Sequence, residues 1–256
     1  MPRLLLTDEH WSTLRKIMLE QDFYDKRHCR KTVEGILYSL RTGCPWRDLP
    51  QYFGRWNSVY QKFNRWARSN KLMAIFQHLA SEPDMEWSFI DGSIVKTHQH
   101  SAGAAGGGEQ GMGKSRGGLT TKIHMAVDAC GFPVCFKITG GEVHDGKIAP
   151  ALVDEMPQAD YVIGDKGYDS EALREQIQKS ASLAVIPRKR NYKKGNGEMD
   201  WHLYKYRHLV ENVFARLKHF RAIATRYDKL KRNYLSMVAL ACAVIWLPMW
   251  GNVNTP

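Results

Sequence analysis

The 256-residue sequence contains no C-x-x-C pair, and its five cysteines (Cys29, Cys44, Cys130, Cys135 and Cys242) are an odd number. A disulfide framework or a zinc ribbon is therefore not expected, and a reducing compartment suits the chain. The compositional bias of disordered, collagen-like or coiled-coil chains is missing too, since 43% of the residues are hydrophobic and 25% are charged. The opening MPRLLLTDEHW has too short an apolar run for a signal peptide. Acidic side chains are the scarcer charge: 37 Lys and Arg face 26 Asp and Glu, a net charge of +11. Residues 1–85 hold 14 basic and 9 acidic side chains and residues 187–256 hold 14 and 4, whereas residues 86–186 reverse the balance with 9 and 13. An acidic segment between basic flanks suits an enzyme that grips a polyanion and sets carboxylates against it; ordinary surface charge is the plain alternative.

Long hydrophobic runs are almost absent. The exception is 234–250, YLSMVALACAVIWLPMW, which carries no charge but contains Pro248 near its end. A bilayer-spanning helix wants about 20 apolar residues, so this run reads as a C-terminal core helix and no membrane partner is expected. A formal phosphate-loop match, Gly108-x4-Gly113-Lys114-Ser115, lies within the glycine-rich stretch 102–118. That motif needs an apolar strand before it and a helix after it. Here THQHSAGAA precedes it and the strand-like LTTKIHMAVDA follows, so no nucleotide cofactor is expected. The stretch reads as a flexible loop able to touch DNA.

From residue 7 to about 84 the periodicity is helical. Val33, Ile36, Leu37 and Leu40 recur every three or four residues, with Gly43 as the stop signal. After the GCPWRDLP linker, Trp56, Val59, Tyr60, Phe63 and Trp66 mark one face of a second helix, and Ser58, Gln61, Lys62, Arg65 and Arg68 the other. Two helices, a linker and a basic, amide-bearing second face predict a helix-turn-helix-like DNA-binding domain over residues 1–84; a plain helical bundle gives the same pattern.

The texture changes at about residue 84. MEWSFIDGSIV, TTKIHMAVDA, FPVCFKITG, YVIG and LAVIPRK read as strands, SEALREQIQKSA as a helix capped at Asp169–Ser170, and 200–220 as a further helix. Residues 85–250 are thus expected to form a three-layer α/β domain. Asp91 follows the strand-like WSFI and Asp165 follows YVIG, the sheet edge at which α/β proteins place their sites. On a helical wheel Tyr204, Arg207, Glu211 and Lys218 share a stripe about 60° wide, opposite the arc of Tyr206, Leu209, Val210, Val213, Phe214, Leu217 and Phe220. A solvated Arg–Glu pair would give the same stripe. Arg188, Lys189 and Arg190, with Lys193 and Lys194, read as a phosphate-binding patch or a solvated loop. Asp145, after His144, is the rival carboxylate; Asp128 is a spare acid, His98 and His100 an H-x-H pair at a loop edge, and Cys130 and Cys135 strand-packing residues.

The spacing Tyr204-x2-Arg207-x3-Glu211-x6-Lys218 resembles the Y-R-E-K signature of bacterial insertion-sequence transposases with a DDE active site. FIDGS around Asp91, SRGGLTTKIH at 115–124, VHD at 143–145 and IGDKGYDS at 163–170 resemble that family as well, specifically its insertion-sequence-five type, as do the first 80 residues. The resemblance implies an RNase H-like fold with Asp91, Asp165 and Glu211 as metal-binding catalytic carboxylates. It assigns Tyr204, Arg207 and Lys218 to terminal DNA or its phosphates. It further implies Mg²⁺, with Mn²⁺ substituting, double-stranded DNA partners (terminal inverted repeats and target), a homo-oligomer, and a bacterial, nucleoid-associated cytoplasmic setting. A hydrolytic nuclease on the same fold and a DNA-binding regulator with a dead site are the competing readings.

Overall fold

The computed structural model describes residues 2–24, 27–101, 110–189 and 195–251. They group into two compact units, one drawn from Met1–Ser81, Thr97–Gly108 and Leu217–Pro256, the other from Glu82–Lys96 and Glu109–Arg216.

The first unit is helical. Helix α1 (Asp8–Glu20) opens at Thr7, whose hydroxyl accepts from the His10 N–H, and has Asp8 and Glu9 in its first turn. Helix α2 (Cys29–Thr42) buries Val33, Ile36, Leu37 and Leu40 and ends at Gly43 with φ of 65°, the left-handed cap that the sequence anticipates. The α2–α3 connection is longer than GCPWRDLP and includes two short 3₁₀ turns, Trp46–Asp48 and Gln51–Phe53. Helix α3 (Trp56–Arg68) buries Val59, Phe63 and Trp66 and leaves Ser58, Gln61, Arg65 and Arg68 exposed. Trp56, expected on the apolar face, is instead exposed at the first position of the helix, with the Arg47 guanidinium 5.9 Å over its ring. Helix α4 (Lys71–Leu79) follows at once.

The 234–250 run forms the last helix of this unit. By length and composition Lys231–Trp250 is apolar enough to cross a membrane, yet 72% of that window is buried, and the helix packs against α1, α3 and α4. The Trp250 indole donates to the Leu79 carbonyl at 3.0 Å.

The second unit is built on a mixed sheet. Strands β1 (Trp87–Thr97) and β3 (Gly118–Val127) pair antiparallel, with Asp91 opposite Met125 and Gly92 opposite His124. Strand β4 (Pro133–Gly140) and the short β2 (Gly113–Ser115) pair with the far edge of β3. On the other side of β1, strands β5 (Tyr161–Gly164) and β6 (Leu183–Val185) run parallel to it. Lys114 and Ser115 of the glycine-rich motif therefore sit on a strand that leads into another strand.

Helices α5 (Asp145–Glu155) and α6 (Glu171–Lys179) cover one sheet face. Ala149, Leu152, Val153, Leu173 and Ile177 join Ile90, Ala126, Cys135 and Val162 in one buried cluster. Side chains alternate along a strand, so Phe89, Asp91 and Ile163 point to the opposite face. That face meets α7 (Trp201–Tyr204) and α8 (His208–Lys218), joined by a 3₁₀ turn at Lys205–Arg207. An antiparallel β4-β3-β1 half continued by parallel β5 and β6, with helices on both faces, is the RNase H-like three-layer arrangement. The structure adds α5, which Gly146 and Pro150 obscure in the sequence, and tightens the expected 200–220 helix at Lys205–Arg207. That tightening turns Tyr206 out of the anticipated core arc to 36% exposure, with its ring 5.3 Å from that of Trp87.

Candidate active site

The site follows from one register. Strands β1 and β5 pair through Phe89↔Ile163 and Ile90↔Gly164, and the next residue on each is an aspartate. Asp91 and Asp165 therefore stand side by side where β5 ends; β1 itself runs on to Thr97, so Asp91 lies within the strand and not at its end as the sequence suggests. Asp165 caps the turn Lys166–Tyr168, accepting from the Gly167 N–H at 2.7 Å. Asp91 accepts from the Gly92 N–H at 2.7 Å through Oδ1 and from Arg207 at 3.1 Å through Oδ2. Burial raises the Asp91 pKa above its ordinary value, and the carboxylates of Asp165 and Asp145 add to the rise; the Gly92 N–H and Arg207 oppose it. Burial and two nearby carboxylates thus make the ionised form of Asp91 costly, a cost that positive charge at this corner would offset.

Glu211 stands in the first turn of α8, with its side chain 53% exposed. It does not touch the aspartates directly. Arg207 spans the gap, one guanidinium nitrogen on Asp91 and the other on Glu211. Among the described residues no three His, Cys, Asp or Glu side chains converge closely enough to enclose an ion as they stand. Tyr204 ends α7 one turn before Arg207, its ring 5.7 Å from that of Trp201, and Lys218 is the exposed last residue of α8.

The remaining candidates fall elsewhere. Arg188 pairs with Glu171, and Lys189 donates to Asp169 through both its backbone N–H and its ammonium. Arg190, Lys193 and Lys194 lie outside the described residues. Asp169 is not the α6 cap: Ser170 accepts from the Leu173 N–H, while Asp169 is bound by Arg174 at 2.9 Å. Asp128 accepts from the Phe132 N–H and closes the β3–β4 turn. In that turn Cys130 is exposed, whereas Cys135 packs in the core and its thiol is pushed up to about 12 by burial; all five cysteines are free. In the helical unit His98 stacks on Tyr227 with ring centroids 4.6 Å apart, and His100 lies beside it. Ser58, Gln61, Lys62 and Arg65 occupy the outer face of α3, where Lys62 donates to Thr32 at 3.3 Å. Near them is a cavity of about 390 Å³ lined by His28, Lys31, Arg55 and Lys62.

Two residues that sequence reasoning passed over belong to the site's surroundings. Lys122 and His124, two apart on β3 and so on one face, both point at Asp145. The alternation of TTKIHMAV was visible in the sequence, but a lysine and a histidine inside an apolar strand could not be matched there with an acid more than twenty residues later.

Two aspartates side by side, on β1 and just past β5, and a glutamate on the helix across the face are the three carboxylates that the sequence pattern singles out. A family model described as "Transposase DDE domain" matches residues 82–246, and the chain belongs to that family, as a DDE transposase. A second model, "Putative transposase of IS4/5 family", matches residues 6–76. Over 133 residues the chain is 37% identical to the Brucella ovis protein named "Putative transposase for insertion sequence element IS6501", covering 50% of this chain and 99% of that one. Over 130 residues it is 31% identical to the transposase for insertion sequence element IS1106 of Neisseria meningitidis serogroup B, covering 48% and 45%. Among solved structures it is similar to a pre-cleavage Mos1 transpososome at 9% identity and a TM-score of 0.27, covering 91% of this chain and 82% of that one.

Proposed function

We propose that this transposase cuts the ends of its own insertion sequence and joins them to target DNA, with Asp91, Asp165 and Glu211 as the catalytic carboxylates. The observation that carries the reading is the β1–β5 register, which brings Asp91 and Asp165 together across 74 residues of chain. The donor set fits a divalent cation. Carboxylate oxygens are hard ligands that favour Mg²⁺ or Mn²⁺ over softer metals, and positive charge would offset the burial and the neighbouring carboxylates that raise Asp91. Asp91, Asp165 and Glu211 would hold it, and the bound metal supplies Lewis-acid stabilisation of the phosphoryl oxygens and an activated nucleophile. Arg207 keeps Glu211 and Asp91 aligned and, with Tyr204 and Lys218, contacts the terminal DNA. Hydrolysis of one phosphodiester exposes a 3′-hydroxyl, and attack of that hydroxyl on a target phosphodiester releases a target 3′-oxygen, a transesterification.

The helical residues 1–84 serve in this account as the reader of the terminal inverted repeats, and residues 85–250 as the catalytic domain. The exposed Ser58, Gln61 and Arg65, with Lys62, suit base and phosphate contacts. The cavity lined by His28, Lys31, Arg55 and Lys62 suits a backbone phosphate. Arg188, Lys189 and Arg190 extend the basic surface. Pairing of two ends makes a homo-oligomer the working species, in the bacterial cytoplasm at the nucleoid. The test is incubation with DNA ending in the gene's flanking repeats, a target plasmid and Mg²⁺ or Mn²⁺. Joined products are expected. Cutting without joining would make the chain a hydrolytic nuclease, and repeat-specific binding without cutting would make it a regulator.

A further inference from the structure

Two stretches that mark the family resemblance, KIH at 122–124 and VHD at 143–145, meet in one buried network. Asp145, the first residue of α5, places Oδ2 at 3.1 Å from the Lys122 ammonium and Oδ1 at 3.1 Å from His124 Nδ1. Lys122 also donates to the Val143 carbonyl at 2.9 Å. His144 caps the helix, its Nδ1 accepting from the Gly146 N–H at 3.2 Å.

His124 is fully buried, and its Nε2 lies 2.8 Å from the Thr139 hydroxyl. The Thr139 hydroxyl also reaches the Gly140 carbonyl at 3.0 Å, which ties the His124 ring to β4. Its Nδ1 faces Asp145 Oδ1, with both atoms buried from water. Lys122 holds Asp145 ionised: burial raises its pKa, but the bonds from His124 and Lys122 outweigh burial and leave it lowered. Asp145 is thus an anion held by the Lys122 ammonium on one side and set against the buried His124 ring on the other.

The location of this anion matters. A Cβ on Gly92 would fall 2.1 Å from Asp145 Oδ1, so the carboxylate lies against β1 at the residue after Asp91. A Cβ on Gly146 would fall 3.6 Å from the carbonyl of Gly167, in the turn that follows Asp165. The first turn of α5 thus abuts β1 beside Asp91 and the turn that follows Asp165.

We infer that Asp145, clamped by Lys122 and His124, is a positioning residue that fixes the relative placement of Asp91 and Asp165. Its Oδ2 is held by Lys122 and its Oδ1 lies buried against Gly92, so it acts through the backbone it braces and not as a ligand. The inference rests on the catalytic reading of Asp91 and Asp165 above. Losing a group that orients metal ligands typically costs 10- to 100-fold in metal affinity or activity.

The experiment compares wild type, Asp145→Asn, His124→Gln, the double variant and Asp91→Asn. It measures kcat and KM for DNA cleavage, Mn²⁺ affinity of the DNA-free protein by calorimetry, and Tm. Asp145→Asn and His124→Gln should each lower kcat and weaken Mn²⁺ binding about 10- to 100-fold, with KM for DNA within about twofold. The double variant should be little worse than either single one, since both remove the same contact. A kcat and Mn²⁺ affinity within about twofold of wild type in Asp145→Asn overturns the inference. So does Asp145→Asn matching Asp91→Asn in abolishing Mn²⁺ binding, which would make Asp145 a ligand. A loss of kcat that is explained entirely by unfolding at the assay temperature overturns it as well. Unimpaired cleavage by Asp91→Asn would instead sink the catalytic reading, whatever Asp145→Asn does.

Discussion

Arg207 donates to Asp91 at 3.1 Å across 116 residues of sequence, and its other terminal nitrogen holds Glu211 four residues along. One guanidinium thus ties the sheet edge to the helix that faces it. A planar fork can serve two carboxylates at once in a way an ammonium cannot. Arg207→Lys should therefore keep the charge and lose the bridge, lowering cleavage about 10-fold or more while repeat binding stays within a few-fold. Full activity in Arg207→Lys would show that the bridge has no part in aligning the acids.

Asp91 makes a pH-dependent prediction about stability. Burial, seconded by Asp165 and Asp145, holds its folded pKa above the ordinary value. A carboxyl whose pKa is raised by folding contributes stability that is fully present below its unfolded pKa and lost as pH rises through its folded one. At neutral pH the ionised Asp91 is therefore a net cost, and Asp91→Asn should raise Tm there by about 2–4 °C for each kcal/mol relieved. Thermal melts from pH 7 down past about pH 3.9 should show the advantage shrinking. A variant melting lower than wild type at pH 7 would contradict the assignment.

Phosphate contacts near α3 are read from salt dependence. Each backbone phosphate neutralised on duplex DNA adds about 0.9 to the slope of log K against log salt. Lys31→Gln with Lys62→Gln should lower that slope by about 1.8 and weaken repeat and non-repeat DNA alike. An unchanged slope would take the cavity beside these lysines out of the DNA interface.

Gly43 ends α2 at φ of 65°, and a Cβ there would fall 3.1 Å from that of Arg221. Gly43→Ala combines an unfavourable left-handed residue with a close approach, so it should cost about 1 kcal/mol or more and lower Tm by about 2–4 °C. An unchanged Tm would mean that the α2 end can rearrange.

Local patterns of the sequence transfer well to the structure. Apolar periodicity and Gly43 foretell α2, Val59, Phe63 and Trp66 of the apolar stripe are buried in α3, and YVIG is a strand that ends before its aspartate, whereas the strand begun by WSFI runs on past Asp91 to Thr97. The remainder depends on what lies far away along the chain. Nothing local marks that Arg207 reaches Asp91, or that Lys122 and His124 answer Asp145, because each contact is made only when β1, β3 and α5 assemble. Helix α5 is hidden by Gly146 and Pro150, which weaken helical propensity that tertiary packing restores. Trp56 and Tyr206 escape their expected cores for geometric reasons: one stands at a helix end, and the other is turned outward by the 3₁₀ residues Lys205–Arg207.

The central claim is that Asp91, Asp165 and Glu211 form one catalytic centre. Its most direct test is cleavage of repeat-ended DNA by wild type, Asp91→Asn, Asp165→Asn and Glu211→Gln in Mg²⁺ and in Mn²⁺, with repeat binding measured in parallel. Each variant should lose about 10²- to 10⁴-fold in cleavage rate, with binding retained. Cleavage that persists at the wild-type rate in any one of the three would remove that residue from the centre, and persistence in Asp91→Asn or Asp165→Asn would contradict the account outright.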